Sequence, residues 1–233
     1  MTIEPKILYE DNHIIVVVKP HNISVQADES GDIDMLTILK NFIKVRDNKP
    51  GNVFIGLVHR LDRPTGGLMV FAKTSKAASR LTNQLKGKSI KKHYYCVING
   101  RPQLKENRLV TYLKKDEKTN TVKIAPKLED GSKEAILEYK LIETKNKLSL
   151  MDIDLITGRS HQIRVQMSSQ LNCPIYGDFK YGDKLHAGNL ALWAYQISFA
   201  HPISKENMVF KAHPDFKNPA FDQFKETIEN LIG

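Results

Sequence analysis

Cysteine and long hydrophobic segments are scarce in this sequence of 233 residues. Its two cysteines, Cys96 and Cys173, lie far apart and belong to no CxxC pair, which excludes a disulfide framework and a cysteine-based zinc site. The longest apolar run near the start, 14–18, has the length of a strand, whereas a membrane-spanning helix needs about 20 apolar residues. No secretory signal pattern precedes it. We therefore expect a cytoplasmic protein without membrane contact.

Signatures of metal and nucleotide binding are also missing. The eight histidines form no HxxxH or HExxH pattern, which argues against a metal site. Glycines at 66 and 67, followed by AKT at 72–74, are only faintly similar to a P-loop, because no glycine precedes the lysine. The sequence thus predicts a protein that needs neither a metal nor a nucleotide cofactor.

Acidic residues are rare in one long segment. Positions 63 to 105 hold ten lysines and arginines and no aspartate or glutamate. The rest of the chain carries 25 basic and 26 acidic side chains, so the net charge of +9 arises from this segment alone. Such a concentration of positive charge is typical of proteins that bind a polyanion. The alternative is a solvated basic face that maintains solubility.

Apolar residues recur at intervals that predict both strands and helices. No repeat, tail or linker interrupts the pattern, so we expect one domain over residues 1–233. Strands are predicted at 7–19 with a turn at 11–12, and at 53–58, 68–72, 94–98, 136–141, 148–155 and 190–199. Helices are predicted at 34–45, 75–86 and 221–232, with another beginning at Thr157 or Ser160. Because strands often follow one another directly, we predict an α+β fold with a mixed, mostly antiparallel central sheet and flanking helices.

Asp62 is the only acidic residue between positions 48 and 105, and it lies between Arg60 and Arg63 in a loop that contains proline and glycine. Nearby positive charge favours the ionised carboxylate. Without a second carboxylate to share a proton or a metal, Asp62 is better suited to act as a nucleophile or an electrostatic partner than as half of an acid–base pair. The alternative is a structural aspartate that caps the turn or pairs with Arg60.

A second polar cluster, TGRSHQIR at 157–164, combines a turn with the start of a helix. His161 and Arg164 lie about one turn apart and should share a helix face. No acidic residue occurs between Asp154 and Asp178, so a carboxylate from elsewhere, or a phosphate, must pair with the arginines of this cluster. The alternative is a helix N-terminus with solvated arginines.

Two adjacent tyrosines, Tyr94 and Tyr95, follow Lys91 and Lys92. An aromatic ring beside basic residues is suited to stacking on a nucleobase. The alternative is a strand that places one tyrosine in the core and the other outside.

These motifs occur together in one known family, and the chain resembles the RluA-type RNA pseudouridine synthases. Positions 59–73, HRLDRPTGGLMVFAK, are similar to the family's HRLD motif, which contains the nucleophilic aspartate. KHY at 92–94 is similar to the K-x-Y motif, and GRSHQIRV at 158–165 to the GRTHQIRV motif. PIYGD (174–178), YG (181–182), the segment 190–194 and HP (201–202) follow in the family's order, so the match runs from about residue 7 to residue 202.

The resemblance implies an isomerase without a cofactor, with the pseudouridine synthase fold and its catalytic cleft. Its substrate would be a uridine in structured rRNA or tRNA, and the protein would act as a monomer. Asp62 would be the nucleophile, Arg164 its pairing partner, and Tyr94 the ring that stacks on the target base. Whether the Asp62 carboxylate attacks the ribose or the base stays open.

The resemblance also implies a set of residues that bind the substrate. Arg60 would fill the space that the flipped base vacates, and Leu192 would close the pocket against water. The remaining substrate-binding candidates are His161 in the GRSHQIRV segment and four lysines that would hold phosphates: Lys86, Lys88, Lys91 and Lys92.

Several positions depart from the family's pattern. Glycine replaces the usual serine at Gly66, histidine is replaced at three positions (Gln166, Cys173 and Trp193), and HN replaces Ala-Gly at 21–22. These departures leave Asp62, Tyr94 and Arg164 in place, so they bear on RNA contacts and substrate choice. Strand-like sequence begins at Ile7, and we therefore expect no N-terminal S4 RNA-binding module.

Two other functions remain open at the level of sequence. A non-catalytic RNA-binding protein with this fold would retain the basic segment but would not need Asp62 together with Arg164. A hydrolytic RNA glycosidase would use Asp62 with water. The fate of the uracil distinguishes the three functions. A pseudouridine synthase isomerises it, a non-catalytic RNA-binding protein leaves it unchanged, and a glycosidase releases it.

Overall fold

The computed structural model describes residues 4–127, 129–184 and 190–232. Its strands are β1 (Lys6–Glu10), β2 (Ile14–Lys19), β3 (Gly56–Leu57), β4 (Gly66–Ala72), β5 (Lys91–Asn99), β6 (Glu106–Asp116), β7 (Thr121–Ile124), β8 (Lys133–Lys145), β9 (Leu148–Leu155), β10 (Leu192–Ala200) and β11 (Asn207–Lys211). Its helices are α1 (Met35–Arg46), α2 (Ser75–Lys86), α3 (Gln162–Leu171), α4 (Pro219–Asp222) and α5 (Lys225–Ile232). The strand pairs described below are antiparallel, and the predicted α+β fold with a mostly antiparallel sheet is confirmed.

The chain divides into two compact units. The first comprises Met1–Ile90 and Gln196–Ala212, and the second Lys91–Tyr195 and His213–Gly233. In the described residues, no helix combines the length and the apolar character that crossing a bilayer requires.

In the first unit, β2 pairs with β1 along one edge and with β4 along the other. Every residue of β2 and β4 is buried, which explains why both read as continuous apolar runs in the sequence. Helix α2 packs on β3 and β4 through its buried residues Ala77 and Leu81. The Asp62 loop joins β3 to β4 and is therefore attached to one of the two fully buried strands of this unit.

In the second unit, five strands lie in the order β5-β9-β8-β6-β7, each antiparallel to its neighbour. Helix α3 packs on β6 and β7, where Val165 contacts a cluster formed by Leu113, Val122 and Ala135. The first turn of α3 carries Arg164, so this packing fixes the arginine against the sheet.

Helix boundaries differ from the sequence prediction in three places. Helix α3 begins at Gln162, not at Thr157 or Ser160, because His161 adopts a left-handed conformation (φ 51°) that a helix cannot include. For α2 the sequence favours Ser75 as the N-cap, but Ser75 is already the first helical residue and the N-cap is Thr74, whose side chain accepts a hydrogen bond from the Ala77 amide. The predicted helix 221–232 is interrupted at Gln223 and Phe224.

Strands β6, β7 and β11 were not predicted. In β6 the buried residues Leu109, Thr111 and Leu113 alternate with exposed or half-buried positions, a period of two typical of a half-buried strand. The other face of the strand mixes charged residues (Glu106, Arg108, Lys114 and Asp116) with Val110 and Tyr112, and the turn that follows is polar. The polar majority conceals the short apolar alternation in the sequence.

Candidate active site

The Asp62 loop of the first unit closes as a tight turn. The Thr65 amide donates to the Asp62 carbonyl over 2.9 Å, and Pro64 restricts the backbone inside the turn. The Pro64 carbonyl accepts a hydrogen bond from Nδ1 of His21 (2.7 Å). Asp62 itself is half-buried. The turn therefore presents this carboxylate from a backbone that is fixed by hydrogen bonds.

A buried lysine supports the same turn. Lys19, at the end of β2, has no exposed surface, and its ammonium donates to the carbonyls of Pro20 (2.9 Å), Ile23 (2.7 Å) and Arg63 (3.0 Å). Three acceptors match the three donors of an ammonium group. Burial lowers the pKa of Lys19 to about 7, while the negative charge of Asp62 acts to raise it and Arg63 acts to lower it. The Asp62 carboxylate thus lies in the field of a fixed, buried ammonium.

Arg63, beside the candidate nucleophile, is held by the loop that follows β2. Its guanidinium donates to the Asn22 carbonyl (3.2 Å), to the Ser30 hydroxyl (2.9 Å) and to the Asp32 carboxylate. The Asp28 carboxylate lies 3.9 Å away. Part of the positive charge counted in the basic segment is therefore neutralised within the first unit.

The basic segment is divided by the structure into paired and exposed side chains. Lys73 forms an ion pair with Glu10 (2.6 Å) and, like Arg63, is committed to a structural contact. Lys86, Lys88 and Lys91 are exposed, as is Arg60 before the Asp62 turn. Lys92 is only 9% exposed, so it differs from the other lysines predicted to hold phosphates.

In the second unit, Arg164 forms a buried bidentate ion pair with Asp178. Nε donates to Oδ2 over 2.8 Å and Nη2 donates to Oδ1 over 2.7 Å. The side chains of Arg164 and Asp178 are 7% and 0% exposed. One carboxylate that pairs with Arg164 is therefore Asp178, a residue whose role the sequence did not predict. The sequence did indicate such a role, because Asp178 belongs to the PIYGD segment and is the first acidic residue after Asp154.

Tyr181 connects this ion pair to the rest of the site. Its ring lies 5.1 Å from the Arg164 guanidinium carbon. Its hydroxyl accepts from the Val122 amide (2.8 Å) and is 2.6 Å from Nδ1 of His161. The structure thus places His161 and Arg164 against one tyrosine. The prediction that they share a helix face is wrong, because His161 precedes α3 in a left-handed conformation.

Tyr94 lies on β5 opposite Ile153 of β9 and is 5% exposed. Tyr95 points to the other face of the strand, is 2% exposed, and stacks on Tyr195 with ring centroids 3.8 Å apart. The alternative of one tyrosine in the core and one outside is therefore wrong, because both are buried. Leu192, at the start of β10, is also buried, at 4% exposure.

The predicted site residues fall in both units. The first unit contains Arg60, Asp62, Lys86 and Lys88, and the second contains Lys91, Lys92, Tyr94, His161, Arg164 and Leu192.

Comparison with known proteins identifies the family. The family model described as RNA pseudouridylate synthase matches residues 13–169. The ribosomal large subunit pseudouridine synthase C of Buchnera aphidicola is 36% identical over 241 residues, covering 97% of this chain and 70% of that protein. An uncharacterized RNA pseudouridine synthase of Bacillus subtilis is 34% identical over 221 residues, covering 92% of this chain and 71% of that protein.

Among solved structures, human RNA pseudouridylate synthase domain containing 4 matches with a TM-score of 0.78, covering 94% of this chain and 93% of the human chain. At 22% sequence identity, this similarity shows a shared fold. Together with the sequence relatives, it confirms the resemblance to the RluA-type enzymes. The chain belongs to the RNA pseudouridylate synthase family and is an RNA pseudouridine synthase, an isomerase.

Proposed function

We propose that this enzyme converts particular uridines of ribosomal or transfer RNA into pseudouridine with Asp62 as its nucleophile. The observation that carries the proposal is the Asp62 turn, in which an isolated carboxylate is held by a closed backbone turn near the buried Lys19 ammonium. The Buchnera relative is named for the large ribosomal subunit, which favours rRNA as the substrate.

The reaction exchanges one carbon–nitrogen bond for a carbon–carbon bond within a single nucleotide. The bond between C1′ of the ribose and N1 of uracil breaks, the detached uracil turns, and C5 bonds to C1′. The proton on C5 leaves and N1 gains one, so the atoms of substrate and product are the same. No oxidant, reductant or hydrolytic water enters this balance, and we therefore propose catalysis without a metal or nucleotide cofactor.

We assign the ionised Asp62 carboxylate to the reacting nucleotide, either by attack at C1′ or by addition to the base. Arg164 would keep that carboxylate ionised and oriented, because a charge-assisted contact to a guanidinium fork is both strong and directional. Asp178 would act through Arg164 as a positioning residue. Its two hydrogen bonds restrict the guanidinium to one orientation before any RNA binds.

The target uridine must leave its RNA stack to reach a half-buried carboxylate. Tyr94 would stack on the flipped uracil, and its position on β5 supports this role because the strand fixes the ring. Arg60 is exposed and long enough to enter the space vacated by the base. Leu192 would exclude water from the detached uracil, and so prevent its loss.

Exposed basic side chains would hold the RNA backbone. Lys86, Lys88 and Lys91 follow one another at the end of α2 and the start of β5, and all three are exposed. Contacts of this kind set affinity and orientation without reading sequence. We propose that the protein acts in this way as a monomer in the cytoplasm.

The experiment that tests the proposed function maps pseudouridine in total RNA from cells with and without the protein. We expect at least one uridine, in rRNA or tRNA, to lose its modification when the protein is absent. Incubation of that RNA with purified protein should restore pseudouridine and release no free uracil. Binding without any conversion would indicate a non-catalytic RNA-binding protein, and released uracil would indicate a glycosidase.

A further inference from the structure

Two glutamines, Gln162 and Gln166, lie on the side of α3 that packs against the sheet. Both are buried, at 2% and 0% exposure. Residues four apart in a helix share a face, and their Cβ atoms lie about 5–6 Å from each other. The packed face of a helix is ordinarily apolar, so two buried side-chain amides at this spacing require hydrogen-bond partners.

The orientation of the Gln162 amide is fixed by its contacts. Oε1 accepts hydrogen bonds from the Arg159 amide (3.1 Å) and the Thr157 hydroxyl (2.8 Å). Because a backbone amide only donates, the atom that faces Arg159 must be the side-chain oxygen. Nε2 of Gln162 is therefore a donor, and it is buried without a hydrogen-bond partner in the part of the chain that the structure describes.

The Gln166 amide is fixed in the complementary sense. Its Nε2 donates to the Thr111 hydroxyl (3.0 Å) and to the Ala135 carbonyl (3.3 Å). Because a carbonyl only accepts, the atom that faces Ala135 must be the nitrogen. Oε1 of Gln166 is therefore an acceptor, and among the described residues nothing donates to it, although it is buried. A buried polar atom without a partner destabilises the folded protein.

Both amides reach the same short stretch of β8. Gln166 contacts Ala135 directly, whereas Gln162 is linked to Ile136 by the Thr157 hydroxyl, which accepts from the Ile136 amide over 2.7 Å. Adjacent residues of a strand are only about 3.3 Å apart along it. One buried donor and one buried acceptor thus lie side by side over β8 without a direct hydrogen bond between them.

We propose that a buried water molecule bridges Gln162 and Gln166. Its oxygen accepts from Nε2 of Gln162, and one of its protons is donated to Oε1 of Gln166. Water can do both at once, and buried waters in proteins typically satisfy polar groups of this kind. Neither glutamine can replace the water by turning its amide over, because each amide is already held by a backbone group of fixed polarity.

This water site lies on the opposite side of α3 from Arg164. Successive helical residues are rotated by about 100°, so residue 164 points away from residues 162 and 166. Arg164 is held there by Asp178, and the bridged glutamines hold the other side of the same two turns against β8. The water takes no part in the reaction, and the proposal does not depend on the proposed function.

The test is a crystal structure of the full chain at a resolution that shows ordered water. The wild type should contain one water within hydrogen-bonding distance, about 2.7–3.2 Å, of both Nε2 of Gln162 and Oε1 of Gln166. Gln166→Met has a similar length but no acceptor, and it should lose this water. Gln170→Met makes the same change at an exposed position of α3 and should retain it.

The wild type alone decides the question if Gln166→Met does not fold. In solution, the side-chain amide protons of Gln162 should show direct NMR cross-relaxation with a long-lived water. A direct hydrogen bond between the two glutamines, a dry gap between them, or a water that persists in Gln166→Met would each overturn the proposal. Neither measurement involves RNA, so failure here would leave the proposed function standing, and an inactive enzyme would leave the water site standing.

Discussion

Arg164 and Asp178 form an ion pair with two parallel hydrogen bonds in the interior of the second unit. The pair joins the first turn of α3 to the turn that contains Tyr181, which in turn contacts His161 and β7. The orientation of the arginine is therefore a property of the folded protein and does not depend on bound RNA.

Asp178→Asn should be strongly destabilising. The substitution removes the charge that compensates a buried guanidinium, and breaking such a pair costs about 3–5 kcal/mol. Urea unfolding of the variant and of the wild type measures the difference. Asp130→Asn, at a position on the surface turn before β8, serves as the control and should change the unfolding free energy by less than about 0.5 kcal/mol.

Arg164→Lys should lose nearly as much isomerisation as Arg164→Ala, because an ammonium cannot reproduce the bidentate fork. If Arg164 acts on the reaction through Asp62, replacing both residues should lower turnover little more than replacing Asp62 alone. Turnover is measured for Asp62→Asn, Arg164→Ala and the double variant. Losses that multiply would mean that the two residues act independently.

The salt dependence of RNA affinity tests the role of the exposed lysines. Replacing Lys86, Lys88 and Lys91 with glutamine should flatten the plot of log affinity against log salt, by roughly 0.7 for each phosphate of single-stranded RNA that a lysine no longer neutralises. The matched control replaces three lysines that are exposed in and just after α1: Lys40, Lys44 and Lys49. Equal slopes for the two triple variants would indicate that the basic segment is a solvated face.

Lys19 should impose a pH dependence on stability. Its pKa of about 7 in the folded protein lies below the ordinary value of 10.5, so between these values the unfolded chain binds more protons. Stability then rises with pH over this interval, by at most roughly 1.4 kcal/mol per pH unit. The unfolding free energy of the wild type should therefore increase between pH 7 and pH 9. The Lys19→Met variant lacks this titrating group, so its unfolding free energy should not show the same increase. Parallel behaviour of the two proteins would contradict the lowered pKa.

The elements that position the site were largely predictable from sequence. The fully buried strands β2 and β4 appear as unbroken apolar runs, and α1 and α2 as helical periodicities with capping residues. The lone carboxylate of Asp62 was evident because the sequence around it contains only basic residues.

Features that depend on tertiary contacts were not predictable in the same way. The left-handed backbone of His161 delays the start of α3, and the buried rings of Phe221 and Phe224 accompany the break between α4 and α5. The pairing of Arg164 with Asp178 spans 14 positions and forms only when the turn at 174–182 folds back on the helix. The burial of Lys92 likewise follows from its place on β5 and has no signal in a run of basic residues.

Turnover by Asp62→Asn tests the central claim most directly, because this change removes the nucleophilic charge and nearly preserves the size of the side chain. Pseudouridine formation is measured in the RNA identified by mapping, together with RNA affinity under the same conditions. We predict that isomerisation falls by more than about 10³-fold while RNA binding persists. An Asp62→Asn enzyme that binds RNA and still forms pseudouridine at a rate near that of the wild type would contradict this claim.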